Sequence, residues 1–279
     1  MNGYSDIVNY FCQKLEDVYP VDECRNLAFW SIDSVLGLSR SEFLMNKNGQ
    51  LSADQLEVFE NIIIQLLSHK PIQYILGECD FYNLTFQVNS NCLIPRPETE
   101  ELVHWVLQEH ATSILDIGTG SGCIAISLAK NSSAKVSAID ISEKALTLAK
   151  HNADLNQALV NFIQANILES IHDLPKYDLI VSNPPYVLES EKVVMNDKVL
   201  NYEPHLALFV EDDDSLIFYD KIIDFSVSHL NVGGQLFFEI NEQKANDIAQ
   251  LLEMKSFENI LIKKDMQGKE RMIKADLKL

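Results

Sequence analysis

Positive charge is scarce in this chain. Its 279 residues hold 22 Lys and Arg against 41 Asp and Glu, a formal net charge of −19. A protein that grips a nucleic-acid backbone carries a basic face, and no Lys/Arg-rich run occurs ahead of the last strands. The balance counts against a nucleic-acid substrate; its other meaning is solubility alone. Cysteine is also sparse. Cys12, Cys24, Cys79, Cys92 and Cys123 are odd in number and scattered, with no Cys-x-x-Cys. Neither a disulfide framework nor a zinc site is indicated, and no metal is expected. A reducing cytoplasm fits this usage best. Long apolar runs are missing, so no segment reads as a membrane span. The start, Met1-Asn-Gly-Tyr-Ser-Asp6, lacks the basic residues and apolar run of a signal peptide. There is no low-complexity tract and no evident repeat. What is present is ordinary globular composition, 47% hydrophobic and 23% charged. The length suits one large or two modest domains.

Residues 1–76 read as a small helical bundle. Tyr4, Ile7, Val8, Phe11 and Leu15 fall at helical spacing. A second apolar-faced helix spans about 23–36 and ends at Gly37, and a short one follows Ser39. Ser52-Ala-Asp-Gln55 is a capping box that opens a helix through Val58, Ile62, Ile63, Leu66 and Leu67, with Pro71 as its stop. His69 and Lys70 read as a solvated helix C-terminus. Residues 77–98 form a connecting region in which Phe81–Val88 has the composition of a β-hairpin or an extended linker. Ile94-Pro-Arg-Pro-Glu-Thr-Glu100 follows, with its prolines forcing an extended entry and Thr99 able to cap the next helix. Arg96 and Glu98 could form a surface ion pair, or be held there for a purpose.

From Thr112 the pattern turns β-α-β, and residues 99–279 read as one α/β domain. Strands are predicted at 114–117, 135–139, 160–163, 179–182 and 235–240. Helices are predicted at 123–130, 143–155, 216–230 and 243–254, and residues 188–214 read as a long polar segment. Two short strands near 259–262 and 271–274 flank Asp265-Met-Gln-Gly268. So short a connection cannot make a parallel crossover, so this last pair must be an antiparallel hairpin.

Two loops carry the chemistry. Gly118-Thr-Gly-Ser-Gly122 follows the first strand and lets the backbone approach a ligand, with a helix N-terminus behind it. Asp140 ends the next strand about 20 residues on, where a carboxylate can accept both hydroxyls of a ribose. A nicotinamide dehydrogenase shows a similar pair, but with Gly-x-Gly-x-x-Gly spacing and no terminal hairpin. The second loop is Asn183-Pro-Pro-Tyr186, which stops the apolar strand Leu179-Ile-Val181. Its prolines fix the chain's path and leave carbonyls with no neighbouring N–H. On its own this tetrapeptide is also a plain turn or a ligand for a proline-binding module. The Asn183 amide oxygen and a neighbouring carbonyl can accept both hydrogens of a flat NH₂ group, and Tyr186 can cover its face. Ligands of an open α/β sheet sit where the strand order reverses. The first and fourth strands would flank that point and bring the two loops face to face.

The glycine loop with Asp140 resembles motif I and the acidic ribose loop of class I S-adenosylmethionine-dependent methyltransferases. Asn183-Pro-Pro-Tyr186 is similar to the signature of amino-methylating members. Pro71-Ile-Gln-Tyr-Ile-Leu-Gly77, Ile94–Glu100, Tyr202-Glu-Pro-His-Leu-Ala-Leu208 and Gly234-Gln-Leu-Phe-Phe-Glu239 resemble one family among them, the release factor glutamine methyltransferases (HemK/PrmC). The resemblance covers essentially the whole chain. It implies a Rossmann-like, mostly parallel seven-stranded sheet with an antiparallel C-terminal hairpin, preceded by a helical substrate-recognition domain. It further implies N5-methylation of the Gly-Gly-Gln glutamine of peptide chain release factors, with S-adenosyl-L-methionine as cofactor. Gly118, Thr119, Gly120, Ser121 and Gly122 would hold the methionine end, Asp140 the ribose, and Asn166 and Ile167 would lie along the adenine. Asn183 would serve both cofactor and acceptor. With the Pro184 carbonyl it would accept the amide hydrogens, beside Pro185 and with Tyr186 packed on the amide plane. The family often has an acidic residue where this chain has Asn166, whose amide can still accept a hydrogen bond from adenine. The rivals are a glutamine methyltransferase acting on a ribosomal protein, a DNA or RNA exocyclic-amine methyltransferase, and a non-enzymatic cofactor-binding scaffold.

Overall fold

A computed structural model describes residues 3–46, 48–171, 173–195 and 197–278. Met1 and Asn2, part of the N-terminal start discussed above, lie outside them. The chain divides into two compact units, Met1–Gly77 with Asn196–Tyr202, and Glu78–Met195 with Glu203–Leu279.

The first unit is helical: α1 Tyr4–Leu15, α2 Val21–Leu36, α3 Arg40–Met45, α4 Ala53–Leu67 and α5 Ile72–Leu76. Helical spacing puts Ile7, Phe11 and Leu15 on one face, and all three are fully buried. Phe11 meets Phe59 of α4 edge to face at 6.0 Å. Gly37 ends α2 in the left-handed conformation at φ 64°. Ser39 and Ser52 each close a capping box, with Glu42 and Gln55. Pro71 does more than stop α4. It is the N-cap of α5, a helix that ends at Gly77 with φ 81°.

In the second unit, β1 Glu78–Phe81 and β2 Leu84–Gln87 form an antiparallel hairpin. Its turn is Tyr82-Asn83, both at positive φ, 49° and 59°. The expected Phe81–Val88 stretch therefore holds mainly the second strand. A two-residue turn with both φ positive matches the right-handed strand twist, and Asn tolerates that region. Phe81 and Phe86 point into the core, fully buried and edge to face.

Helix α6 is Pro97–Val106. It starts earlier than expected, so Thr99 does not cap it; Arg96 holds that place, with proline at the first helical position, where its missing N–H costs nothing. Then come β3 Ser113–Ile117, α7 Cys123–Asn131, β4 Lys135–Asp140, α8 Glu143–Leu155, β5 Val160–Gln164 and β6 Tyr177–Ser182. The polar segment 188–214 is not structureless. It contains α9 Asp197–Tyr202 and the second strand of a short parallel pair, β7 Val187–Leu188 with β8 Phe209–Val210. The chain closes with α10 Ile217–His229, β9 Leu230–Glu239, α11 Ala245–Met254, β10 Phe257–Lys264 and β11 Glu270–Leu277.

The main sheet has seven strands in the order β10-β11-β9-β6-β3-β4-β5. Strands β9, β6, β3, β4 and β5 are parallel, and β11 is antiparallel to both β9 and β10. The order reverses at β3, from which the chain builds outward through β4 and β5 before returning to β6 on the other side. Asp178 fixes the start of this reversal. Its carboxylate accepts from the Thr112 N–H (2.8 Å), the Thr112 hydroxyl (2.6 Å), the Ser113 N–H (3.1 Å) and Asn231 Nδ2 (2.7 Å). The Thr112 hydroxyl is the leading reason that its carboxyl is held down at about 2.

Candidate functional site

The site forms at the C-terminal ends of β3 and β6. Ile117 and Ser182 are register partners, so Gly118 and Asn183 leave neighbouring strand ends side by side. The Ser182 hydroxyl donates to the Ile117 carbonyl at 2.7 Å and ties the two exits together.

The glycine loop is pinned from three directions. The Gly118 and Thr119 N–H groups both donate to the Ile139 carbonyl, at 2.9 and 3.0 Å. The Thr119 hydroxyl donates to Asp116 at 2.6 Å. Asn152 of α8, fully buried, donates to the Ser121 carbonyl at 2.9 Å and bonds Gln87 of the hairpin in both directions. Asp116 is fully buried and burial pushes its carboxyl up to about 7, against the pull of the Thr119 hydroxyl.

Gly118 and Gly120 need to be glycine for φ values of 75° and 55°, and a Cβ on either would meet nothing within 4 Å. That open side is a cavity of about 340 Å³. Gly118, Thr119, Gly120 and Ser121 line it, as do Asp140, Asn166, Ile167, Asn183, Pro184 and Pro185. Two residues of the expected site do not. Gly122 lies behind the loop at φ 84°, where a Cβ would come within 2.8 Å of Ile126 and 3.2 Å of Ala149. It is glycine so that α7 can pack on α8. Tyr186 is not among the lining residues, and its hydroxyl donates to Glu239 at 3.2 Å. A hydroxyl taken into the protein needs an acceptor, and this one is held by a carboxylate behind the loop.

Asp140 accepts from the Gly120 N–H through one oxygen and from the Ser142 N–H through the other, both at 2.8 Å. Burial raises its pKa, and these backbone bonds oppose the rise. Each carboxylate oxygen keeps a further lone pair for a hydroxyl. Asn166 lies two residues beyond the end of β5. Its amide oxygen caps the Leu168 N–H at 3.1 Å and its nitrogen donates to Glu169 at 2.9 Å. So the amide is set by its own turn, with one oxygen lone pair left for a ligand.

Asn183 Nδ2 donates to the Thr99 hydroxyl oxygen at 3.4 Å, and that hydroxyl donates to Glu239 Oε2 at 2.6 Å. Thr99 and Glu239 are each only 2% exposed. Burial raises the Glu239 pKa; the Thr99 hydroxyl and the Arg271 charge oppose the rise. Arg96 pairs with Glu203, not with Glu98, and Glu203 also accepts from the Ile94 N–H at 3.2 Å. From the sequence Thr99 reads only as a helix cap, and Glu203 and Glu239 only as members of the stretches Tyr202–Leu208 and Gly234–Glu239. The available signal was a carboxylate closing an apolar strand, Leu236-Phe-Phe-Glu239, because a buried charge must be paired. Among the described residues, no group of His, Cys, Asp and Glu could hold a metal ion, and no helix is long and apolar enough to cross a membrane.

Residues 6–77 match the PrmC N-terminal domain, and residues 97–202 match the methyltransferase small domain. A release factor glutamine methyltransferase of Flavobacterium psychrophilum is 47% identical across 98% of this chain and 99% of its own length. The chain belongs to the release factor glutamine methyltransferase family. A protein of the same description from Bacteroides thetaiotaomicron is 44% identical over 97% of this chain and 99% of its own length. A solved methyltransferase from Pyrococcus furiosus shares the fold, with a TM-score of 0.56 at 19% identity, covering 79% of this chain and all of that one. The family's cofactor is S-adenosylmethionine. The cavity fits it: a backbone cradle open where Cβ atoms would stand, a carboxylate at the next strand end, and apolar Ile141 and Ile167 for a flat ring.

Proposed function

We propose that this protein methylates N5 of the glutamine in the Gly-Gly-Gln motif of a peptide chain release factor. The observation that carries the reading is the juxtaposition at β3 and β6. Gly118, Thr119, Gly120 and Ser121 after one strand, and Asn183, Pro184 and Pro185 after its neighbour, line one cavity. S-adenosylmethionine, when bound, supplies an electrophilic methyl group. Gly118, Thr119, Gly120 and Ser121 hold its methionine end, Asp140 the ribose, and Asn166 and Ile167 the adenine. Asn183 Oδ1 and the Pro184 carbonyl accept the two hydrogens of the substrate amide. A primary amide nitrogen is a poor nucleophile because its lone pair is delocalised. Holding both N–H bonds localises that pair and aims it, and such positioning is worth up to roughly 7–11 kcal/mol in favourable cases. The helical unit serves to recognise the factor away from the glutamine. Five free cysteines suit a reducing cytoplasm.

The test is incubation with labelled cofactor and matched samples of release factor, DNA and RNA, followed by mass spectrometry of the Gly-Gly-Gln peptide. Label is expected on that glutamine alone. Asn183→Ala is expected to abolish turnover while cofactor affinity stays within about tenfold. Label on nucleic acid but not on the factor would overturn the reading.

A further inference from the structure

An asparagine amide can serve a substrate NH₂ group only one way round. Turned by half a rotation about its last bond, it presents its own NH₂, and donor faces donor. Nothing in the Asn183-Pro-Pro-Tyr186 loop itself selects between the two orientations. Pro184 and Pro185 have no N–H to donate to the side-chain oxygen. The selection has to come from outside the loop.

The structure supplies it through a chain of three groups. Glu239, at the end of β9, has hydroxyls facing both of its oxygens: Thr99 at 2.6 Å on Oε2 and Tyr186 at 3.2 Å on Oε1. Both hydroxyls donate to it. The Thr99 proton is thereby committed, and toward Asn183 its oxygen can only accept. The atom of Asn183 that faces it at 3.4 Å must then be the nitrogen. Oδ1 is then the end of the amide left free for a ligand, in a cavity that Asn183 and Thr99 both line.

We propose that Thr99 and Glu239 are positioning residues that set the amide orientation of Asn183, by fixing the direction of one hydroxyl. Tyr186 completes the same unit by occupying the second carboxylate oxygen. On this account the tyrosine contributes to the site through its hydroxyl, by way of Glu239. The inference rests on the methyl-transfer reading for its kinetic consequence but not for its structural one.

Two variants separate the hydroxyl from mere packing. Thr99→Val keeps the shape and removes the hydroxyl, and Thr99→Ser keeps the hydroxyl and trims a methyl. The first readout needs no substrate. The Asn183 side-chain NH₂ resonances, identified by their loss in Asn183→Ala, report exchange with solvent in the full-length protein. Exchange is expected to be slow in the wild type, at least tenfold faster in Thr99→Val, and slowed again in Thr99→Ser. The second readout is kinetic. Thr99→Val is expected to lower kcat for release-factor methylation at least tenfold with cofactor affinity within about threefold, and most of the loss is expected to return in Thr99→Ser. Unchanged NH₂ exchange in Thr99→Val, or a serine variant as impaired as the valine one by both readouts, would overturn the positioning role. Wild-type protein that protects the Asn183 NH₂ yet leaves the factor unmethylated would overturn the functional reading and leave the orientation lock standing.

Discussion

Gly120 and Gly122 stand two residues apart in one loop, yet alanine at each should fail differently. Both residues have positive φ, 55° and 84°. Forcing a Cβ into the left-handed region costs about 1–2 kcal/mol at either position. At Gly120 the new methyl meets nothing within 4 Å, so that is the whole folding cost. At Gly122 it comes within 2.8 Å of Ile126 Cδ1 and 3.2 Å of Ala149 Cβ. The Ile126 tip can rotate away, but the Ala149 methyl sits on helix backbone and cannot. Overpacking of this kind adds about 1–3 kcal/mol. At about 2–4 °C per kcal/mol for a unit of this size, mid-range costs of about 1.5 and 3.5 kcal/mol mean that Gly120→Ala should melt roughly 3–6 °C low and Gly122→Ala roughly 7–14 °C low. Cofactor binding should rank the other way. Gly120 lines the cavity, so its methyl takes ligand space and should weaken S-adenosylmethionine binding at least about tenfold by steric exclusion. Gly122→Ala, titrated well below its melting point, should bind within about threefold of wild type, because its methyl points at α8. Thermal melts and isothermal titration of the two proteins settle the matter. Equal melting points, or normal affinity in Gly120→Ala, would refute the division of labour.

Asp140→Ala should weaken cofactor binding by about 1.5–3 kcal/mol, the scale of hydrogen bonds to a charged group, and calorimetry showing unchanged affinity would remove Asp140 from the site. Asp178 gives a pH signature on stability. Its folded pKa is depressed from 3.8 to about 2, so its contribution is fully present above the ordinary value and is lost as pH falls through the folded one. Denaturant unfolding should therefore show a gap between wild type and Asp178→Asn that is constant at neutral pH and closes between about pH 4 and pH 2. A gap independent of pH would mean that the charge contributes nothing.

Much of this protein is written locally. Helical spacing of Ile7, Phe11 and Leu15, the capping boxes at Ser39 and Ser52, and the stop at Gly37 each depend on residues within a turn or two. So do the glycine loop, whose φ values only glycine adopts freely, and the path of Asn183-Pro-Pro-Tyr186, which proline fixes without help. The short link between the last two strands determined by itself that they pair antiparallel. For these reasons the sheet, its reversal beside β3 and the two facing loops were all readable from the chain.

Other features are decided by what is packed over them. Thr99 reads as a cap, but Pro97 starts the helix sooner and buries its hydroxyl against Glu239, 140 residues away. Arg96 has an acidic neighbour at Glu98 and takes Glu203, 107 residues on, because that carboxylate is buried and must be paired. Gly122 looks like its two sisters in the loop, and only the position of Ala149 on the next helix gives it a different task. Tyr186 ends the acceptor loop, and the acceptor for its hydroxyl, Glu239, arrives on β9. Backbone preference is a short-range property and survives in any window of sequence. The partner of a buried polar group is set by burial, and burial exists only once distant segments have come together.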